Sequence, residues 1–166
     1  MFDCSDLIGL EYIPGRQDCF SIGRQFFAKH FGLQIKNYAR PDRFWEDPAL
    51  DLYQLYRREG FQPVGDDHIQ VGDVLLCSLN TSIATHACIV VADNEILHHP
   101  PGGLSVVERM RPRWTNRAAN VIRHPAVTAA LAPKAQTLHL HEVVNADLFR
   151  NPEFQRTVAR VLGTGR

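Results

Sequence analysis

The sequence predicts an α+β fold in which an N-terminal helix carrying a cysteine packs on an antiparallel β-sheet, with a helical appendage at the C-terminus. Three observations predict this fold: apolar residues at helical spacing before residue 32, short apolar runs between residues 74 and 123, and a change of composition at residue 126. A helix followed by a series of strands is typical of α+β domains. The 166 residues are enough to bury one sizeable core.

The first predicted element is a helix that begins at Cys19. Asp18 is a favourable N-cap for it, and Gly32 is a favourable residue just past its C-terminus. A second, shorter helix is predicted over residues 51–58. The residues that give the first helix its buried stripe are Cys19, Ile22, Phe26 and Phe27.

The middle of the chain predicts a sheet of five short strands. Each apolar run is bounded by turn or loop residues, and Asp93-Asn94 makes a tight turn that predicts a hairpin between the second and third strands. The predicted strands cover residues 74–79, 86–92, 95–98, 104–107 and 120–123.

The last forty or so residues differ in composition from the rest. Residues 126–136 are rich in alanine with prolines nearby, which predicts a linker, and the alternation over 138–141 predicts an edge strand. Asn151-Pro152 opens a helix with an N-cap and a first-turn proline. We therefore divide the chain into a domain over 1–125 and an appendage over 126–166, which we expect to dock on a partner.

Charge and cysteine usage exclude several classes of protein. Lys plus Arg and Asp plus Glu each number 18, so no basic field indicates nucleic acid. No apolar run approaches the roughly 18 residues of a membrane span, and the N-terminus is acidic where a signal peptide is basic. We therefore expect synthesis in the cytoplasm, no signal peptide and no membrane insertion. The cysteines form no C-x-x-C pair and are expected to be separate thiols: Cys4, Cys19, Cys77 and Cys88.

Cys19 is the first candidate for chemistry. Backbone N–H groups and the macrodipole at a helix N-terminus favour the thiolate, which is the nucleophilic form. The position therefore predicts a lowered pKa and a nucleophile for acyl transfer. The alternative is that Cys19 is a small hydrophobic residue of the core.

Two histidines complete a candidate catalytic set. His86 begins a predicted strand, where it can accept the thiol proton, and His98 ends the hairpin partner of that strand. The two side chains can therefore meet, with His98 orienting His86. His99 follows directly and is the alternative third residue, although His98 is preferred because it ends the apolar run. Tyr12 precedes the turn before the helix and is a candidate oxyanion donor.

The order of these residues resembles a known family. The motif Tyr12-x-Pro-Gly-x-x-Asp-Cys19, then Gly72-Asp73, then His86-Ala-Cys-Ile-Val, then Ile-Leu-His98 is similar to that of NlpC-type cysteine peptidases. The variety it resembles is the one found in tail assembly proteins of long-tailed phages. The resemblance spans about Leu7 to Arg123 and implies a papain-like fold.

The resemblance also implies a function. Family members cleave an amide bond in peptidoglycan stem peptides, typically between D-glutamate and diaminopimelate, without a metal or other cofactor. The implied catalytic residues are Cys19, His86 and His98. Tyr12 and the backbone N–H of Cys19 would hold the oxyanion, and Asp18 borders the same site, where the N-cap explains it best. The implied location is the tail tip of a virion, with other tail-tip proteins as partners of the appendage.

Two alternatives stay open. A structural tail-tip protein can use the same fold with an occluded or inactive site. A zinc site is the other alternative, although its candidate ligands lack the short paired spacing of structural zinc sites. Those candidates are Cys77, Cys88, His86, His98 and His99.

Overall fold

The computed structural model describes residues 2–41, 43–65 and 69–132. A first compact unit ends at Ala132. No helix in these ranges is both long and apolar enough to cross a membrane. The helices are α1 (Cys19–Phe31), α2 (Leu52–Arg58), α3 (Pro112–Thr115) and α4 (Pro125–Leu131), with 3-10 turns at Ser5–Leu7, Phe44–Glu46 and Pro48–Leu50.

The helix α1 begins and ends where the sequence predicts. The side chain of Asp18 accepts a hydrogen bond from the backbone N–H of Ser21, which is an N-cap, and Gly32 ends the helix with a φ of 66°. The predicted stripe of Cys19, Ile22, Phe26 and Phe27 is buried. The helix α2 also forms as predicted, with Asp51 as its N-cap.

Within the described ranges the sheet has six antiparallel strands in the order β1-β6-β2-β3-β4-β5. The hairpin of β3 and β4 forms as predicted, with Asn94 in its turn at a φ of 57°. The strand bounds are β1 (Gln62–Pro63), β2 (Val74–Cys77), β3 (His86–Ala92), β4 (Glu95–His98), β5 (Val106–Arg109) and β6 (Ala118–Arg123).

The two faces of the sheet have different partners. One face joins α1 and α2 in the main core, to which Ala87, Ile89 and Leu97 contribute. The other face forms a smaller cluster with Trp114 of α3, to which Cys77 and Cys88 contribute. Successive strand residues point to opposite faces, and both faces of the sheet are covered. Every residue of the central strand β3 is therefore buried.

Three parts of the fold differ from the sequence prediction. The strand predicted over 104–107 lies at Val106–Arg109, because Ser105 exchanges backbone hydrogen bonds with Gly9 and Leu10. The short strand β1 and the helix α3 were not predicted. The prediction that a linker starts at residue 126 is wrong, because Pro125–Leu131 is a helix.

The helix α4 is part of the first unit. Val127 is fully buried in the main core, and the imidazole of His124 caps the helix by accepting from the N–H of Ala126. Pro125 occupies the first helical position, which is the sequence feature that indicates a helix here. The strand predicted over 138–141 and the helix predicted from Asn151 lie outside the described residues.

Candidate active site

The N-terminus of α1 is held by an extensive set of hydrogen bonds. The carboxylate of Asp18 accepts five of them: one from the N–H of Gly15, two from Ser21 and two from Arg40. Gly15 has a φ of 70°, and a Cβ there would collide with the carbonyl oxygen of Arg40. The predicted turn before Cys19 is thus fixed in place by the N-cap residue itself.

Arg40 and Asp18 form a buried ion pair. The Nε of Arg40 lies 2.9 Å from Oδ2 of Asp18, and the two side chains are 1% and 5% exposed. Burial raises the pKa of Asp18, but Arg40 and Ser21 together outweigh it and hold the pKa below its usual value. Asp18 is therefore an ionised hydrogen-bond acceptor. This supports an N-cap over an oxyanion donor.

The Cys19 thiol is buried at the first position of α1. It is 5% exposed, and its Sγ lies 3.9 Å from the carbonyl oxygen of Thr85, just before β3. Burial and, to a smaller extent, the adjacent Asp18 carboxylate together raise the pKa of Cys19 to about 12. The sequence prediction of a lowered pKa is wrong for this conformation, because desolvation of the thiolate outweighs stabilisation by the helix N-terminus.

A β-bulge brings the two predicted histidines together. A regular two-residue hairpin would pair His98 with Ile89, but an extra residue at Val91 shifts the pairing so that His98 lies opposite Cys88. His86 and His98 therefore share one face of the sheet. The Nε2 of His86 lies 3.0 Å from the Nδ1 of His98.

The histidine pair continues to a carboxylate that sequence analysis did not predict. The Nε2 of His98 lies 3.0 Å from Oε1 of Glu108 on β5. The same oxygen accepts from the indole N–H of Trp114 at 2.7 Å and from Arg113 at 2.6 Å. Burial raises the pKa of Glu108, but the hydrogen bonds from Arg113 and Trp114 outweigh it and keep the pKa below its ordinary value.

This chain of hydrogen bonds fixes the tautomers of both histidines. An ionised Glu108 can only accept, so Nε2 of His98 carries the proton and its Nδ1 is an acceptor. The Nε2 of His86 must then donate to His98. The Nδ1 of His86 is left as an unprotonated acceptor, which is the form that a general base requires.

The Nδ1 of His86 is buried and has no hydrogen-bond partner among the described residues. The hydrogen bond between Cys19 and His86 that the mechanism needs is thus not formed in this conformation. Burial, with the neighbouring histidines, lowers the pKa of His86 to about 3, so the imidazole is neutral. In this conformation Cys19 is therefore a neutral thiol and His86 is a neutral imidazole.

Trp114 was also missed by sequence analysis. Its ring stacks on His86 with centroids 5.2 Å apart, meets the edge of His98, and donates its N–H to Glu108. The alternation of Val106–Arg109 predicts one face for Glu108, but no pattern within the sequence links that face to His98. The link depends on β5 pairing with β4.

His99 is placed differently from His98. Its ring is fully buried, has no hydrogen-bond partner among the described residues, and contacts the ring of Tyr12 at 5.2 Å. His98 is therefore the residue next to His86. Burial, and then the nearby Cys19 and Asp18, raise the pKa of Tyr12 to about 12, so its hydroxyl keeps its proton and can donate.

A cleft of about 200 Å³ opens beside the N-terminus of α1. Its wall is mainly aromatic and proline side chains, with two arginines and one carboxylate. A cleft of this composition can hold a peptide with apolar and anionic groups. The lining residues are Tyr12, Pro14, Gly15, Asp18, Arg40, Pro41, Arg43, Phe44, Trp45 and Pro101.

Comparison with known proteins identifies the family. The chain matches the NlpC/P60 family over residues 9–123, which includes Cys19, His86 and His98. It is 33% identical over 125 residues to the tail tip assembly protein K of Escherichia phage lambda, covering 75% of this chain and 62% of that protein. It is 26% identical over 123 residues to the tail tip assembly protein K of Escherichia phage N15, covering 73% and 50%.

The chain thus spans between half and about six tenths of the curated relatives that it matches. The helix with Cys19 at its start, the antiparallel sheet and the family match agree on an α+β, papain-like fold. The chain belongs to the NlpC/P60 family.

Proposed function

We propose that this chain is a phage tail cysteine peptidase that cleaves an amide bond in peptidoglycan stem peptides. The bond we propose is the one between D-glutamate and diaminopimelate, and the event it serves is penetration of the cell wall. Its relatives are named for tail tip assembly, so we also propose a place in the tail tip of the virion. Residues 133–166, which follow the first compact unit, would contact other tail-tip proteins.

One observation carries the proposal: the Nδ1 of His86 is a buried acceptor with no partner in the part of the chain that the structure describes. A buried polar atom that forms no hydrogen bond costs about 1–3 kcal/mol, so its retention requires an explanation. The hydrogen bonds from His86 to His98 and from His98 to Glu108 keep this nitrogen unprotonated, so that it can act as a base. A base held in that state beside a cysteine-bearing helix is what thiol acyl transfer uses.

The mechanism begins from the neutral pair. The Cys19 thiol turns from the Thr85 carbonyl to the Nδ1 of His86 and transfers its proton as Sγ attacks the scissile carbonyl. The backbone N–H of Cys19 and the Tyr12 hydroxyl donate to the oxyanion. His86 then returns the proton to the leaving amine, and water cleaves the thioester through the same base. His98 and Glu108 hold the tautomer and offset the charge of the imidazolium.

The cleft beside α1 is the proposed substrate site. Tyr12 lies on its wall, next to the nucleophile, and Arg43 supplies an exposed guanidinium that is paired with Glu46. A stem peptide carries carboxylates that such a cation can bind. The aromatic rings of Phe44 and Trp45 supply the apolar surface for the rest of the peptide.

The test is a digest of purified peptidoglycan with the fragments identified by mass spectrometry. Wild type is expected to release stem-peptide fragments, and Cys19→Ala none. The matched control is Cys4→Ala, since Cys4 is a free thiol with the same 5% exposure and should be dispensable. Cleavage by the Cys19→Ala protein would exclude the mechanism.

The burial of the site favours a second function, an assembly module with an occluded site. Cys19 is 5% exposed and His86 is fully buried, and no hydrogen bond joins them. This function predicts no cleavage by folded wild type and a Cys19 that does not react with a thiol reagent in the native state. A reactive Cys19 with cleavage would favour the peptidase.

A further inference from the structure

Four metal-binding side chains occupy one face of three adjacent strands. Cys77 on β2 lies directly opposite His86 on β3, and Cys88 on β3 lies directly opposite His98 on β4. Residues in such pairs project to the same side of a sheet. Thiols and imidazoles are the ligands that zinc prefers, and strand pairing has grouped them although their spacing in sequence is long.

Three of these side chains already have the separation of a metal site. The nearest ligand atoms of His86, Cys88 and His98 all lie within 4.8 Å of one another, and all three residues are buried. The two imidazole nitrogens are 3.0 Å apart. Tetrahedral zinc with Zn–N bonds of about 2.0–2.1 Å holds two nitrogens roughly 3.3–3.4 Å apart, so only a small opening is needed.

The carboxylate of Glu108, which is hydrogen-bonded to His98, also fits a metal site. Metal-bound histidines usually donate their other N–H to a carboxylate, and Nε2 of His98 does so to Glu108 at 3.0 Å. Its Nδ1 is thereby left unprotonated and faces the group. Zinc with the Cys88 thiolate and two neutral imidazoles carries a charge of about +1, which one further thiolate ligand would neutralise.

A fourth ligand is at hand. The thiol of Cys77 lies in the same cluster as Cys88 and donates to the Trp114 carbonyl oxygen at 3.6 Å. Turning Cys77 toward the group would close a tetrahedral site of two cysteines and two histidines without a position for water. Sites closed in this way bind zinc without using it for catalysis.

We propose that His86, Cys88 and His98, with Cys77 as the fourth ligand, form an inhibitory zinc site. Binding displaces the thiol protons of Cys88 and Cys77 to solvent and moves the Nε2 proton of His86 to its Nδ1. The metal then binds Nε2 of His86, the atom that otherwise donates to His98. Because Nδ1 of His86 is now protonated, it cannot accept the Cys19 proton. The inhibition rests on the proposed peptidase function, whereas the binding itself does not.

The binding test is a Co²⁺ titration of the metal-free, full 166-residue chain, followed by absorbance. Wild type should take up one ion per chain with a thiolate charge-transfer band and visible bands of tetrahedral cobalt. Cys88→Ala and the nearly isosteric Cys88→Ser should have at most half the charge-transfer intensity of wild type, because only the Cys77 thiolate remains, and should bind at least about tenfold more weakly. Cys4→Ala is the matched control and should retain both.

Three results would overturn the site. They are no uptake by wild type at micromolar Co²⁺, a charge-transfer band of undiminished intensity in both Cys88 variants, and loss of the band in Cys19→Ala. The last result would place the metal on the nucleophile. Circular dichroism of each variant confirms that a lost band does not reflect a lost fold.

The inhibition test compares Zn²⁺ sensitivity of peptidoglycan hydrolysis. Cys88→Ala should keep the basal rate and need at least about tenfold more Zn²⁺ for half inhibition, and a chelator should restore wild type. Equal sensitivity of the two proteins would overturn the inhibitory role. If wild type has no hydrolase activity, the proposed function fails while the cobalt titration still decides the site.

Discussion

The two halves of the candidate active site are held in different ways. We call Asp18, Cys19 and Arg40 the cysteine side, and His86, His98 and Glu108 the histidine side. On the cysteine side both carboxylate oxygens of Asp18 accept hydrogen bonds, and the ion pair of Asp18 with Arg40 is buried. On the histidine side a continuous chain of hydrogen bonds ends at a buried nitrogen without a partner among the described residues.

This difference indicates that the cysteine side mainly stabilises the fold and that the histidine side mainly serves the proposed chemistry. The cysteine side uses its polar groups to fix the start of α1, and burial leaves the thiol of Cys19 protonated. The histidine side uses its carboxylate to set tautomers and keeps one acceptor free. Changes on the cysteine side other than Cys19 should therefore lower stability first, and changes on the histidine side should lower activity first.

The largest expected effect is on catalysis and comes from replacing His86, whose Nδ1 has no partner among the described residues. His86→Ala should lower the rate of peptidoglycan hydrolysis by about 10⁴-fold, because the proposed base for the thiol proton is removed. The measurement is fragment release per unit time at saturating substrate. His30→Ala, at the opposite end of α1, is the control and should hydrolyse at the wild-type rate. A His86→Ala protein with more than a tenth of wild-type activity would contradict the mechanism.

The largest expected effect on stability is on the cysteine side. Arg40→Ala should lower the free energy of unfolding by about 3–5 kcal/mol, because it leaves the buried carboxylate of Asp18 without its cation. Urea unfolding measures it. The control is Arg43→Ala, whose ion pair with Glu46 is 66% and 55% exposed and should contribute about 0–1 kcal/mol. Equal losses in the two variants would show that burial of the pair is irrelevant.

A smaller effect on activity is expected at the far end of the histidine side. The amide of Glu108→Gln can donate to Nε2 of His98, which inverts both tautomers and protonates the Nδ1 of His86. We expect a loss of about 10–100-fold in kcat. Nitrogen-15 NMR of the imidazoles reports the inversion directly, which a merely structural effect would not produce. Glu95→Gln on β4 is the control, and an unchanged tautomer in Glu108→Gln would refute the assignment.

The smallest expected effect is on the pH dependence of stability. The pKa of Asp18 is lower in the folded protein than its ordinary value of 3.8. Its stabilisation is therefore complete above that value and is lost as the pH falls through the lower, folded pKa. The difference in unfolding free energy between wild type and Arg40→Ala should shrink as the pH falls below about 4. A difference that grows in acid would reverse the sign of this linkage.

Much of the fold follows from local sequence features. Asp18 before Cys19 and Gly32 after Phe31 specify α1, because N-caps and left-handed C-terminal residues act within one turn. The tight turn at Asp93-Asn94 specifies the hairpin for the same reason. The helix α4 was missed because alanine and proline are as typical of linkers as of a helix start, and only the burial of Val127 distinguishes the two.

The sequence by itself determined which residues are candidates for the site: a cysteine at a helix start and two histidines around one turn. Tertiary structure alone decided how they meet. The bulge at Val91 turned His98 toward His86, because a shift of one residue changes the face of a strand. Strand pairing brought Glu108 to His98, and the packed core desolvated Cys19, because burial depends on neighbours that are distant in the chain.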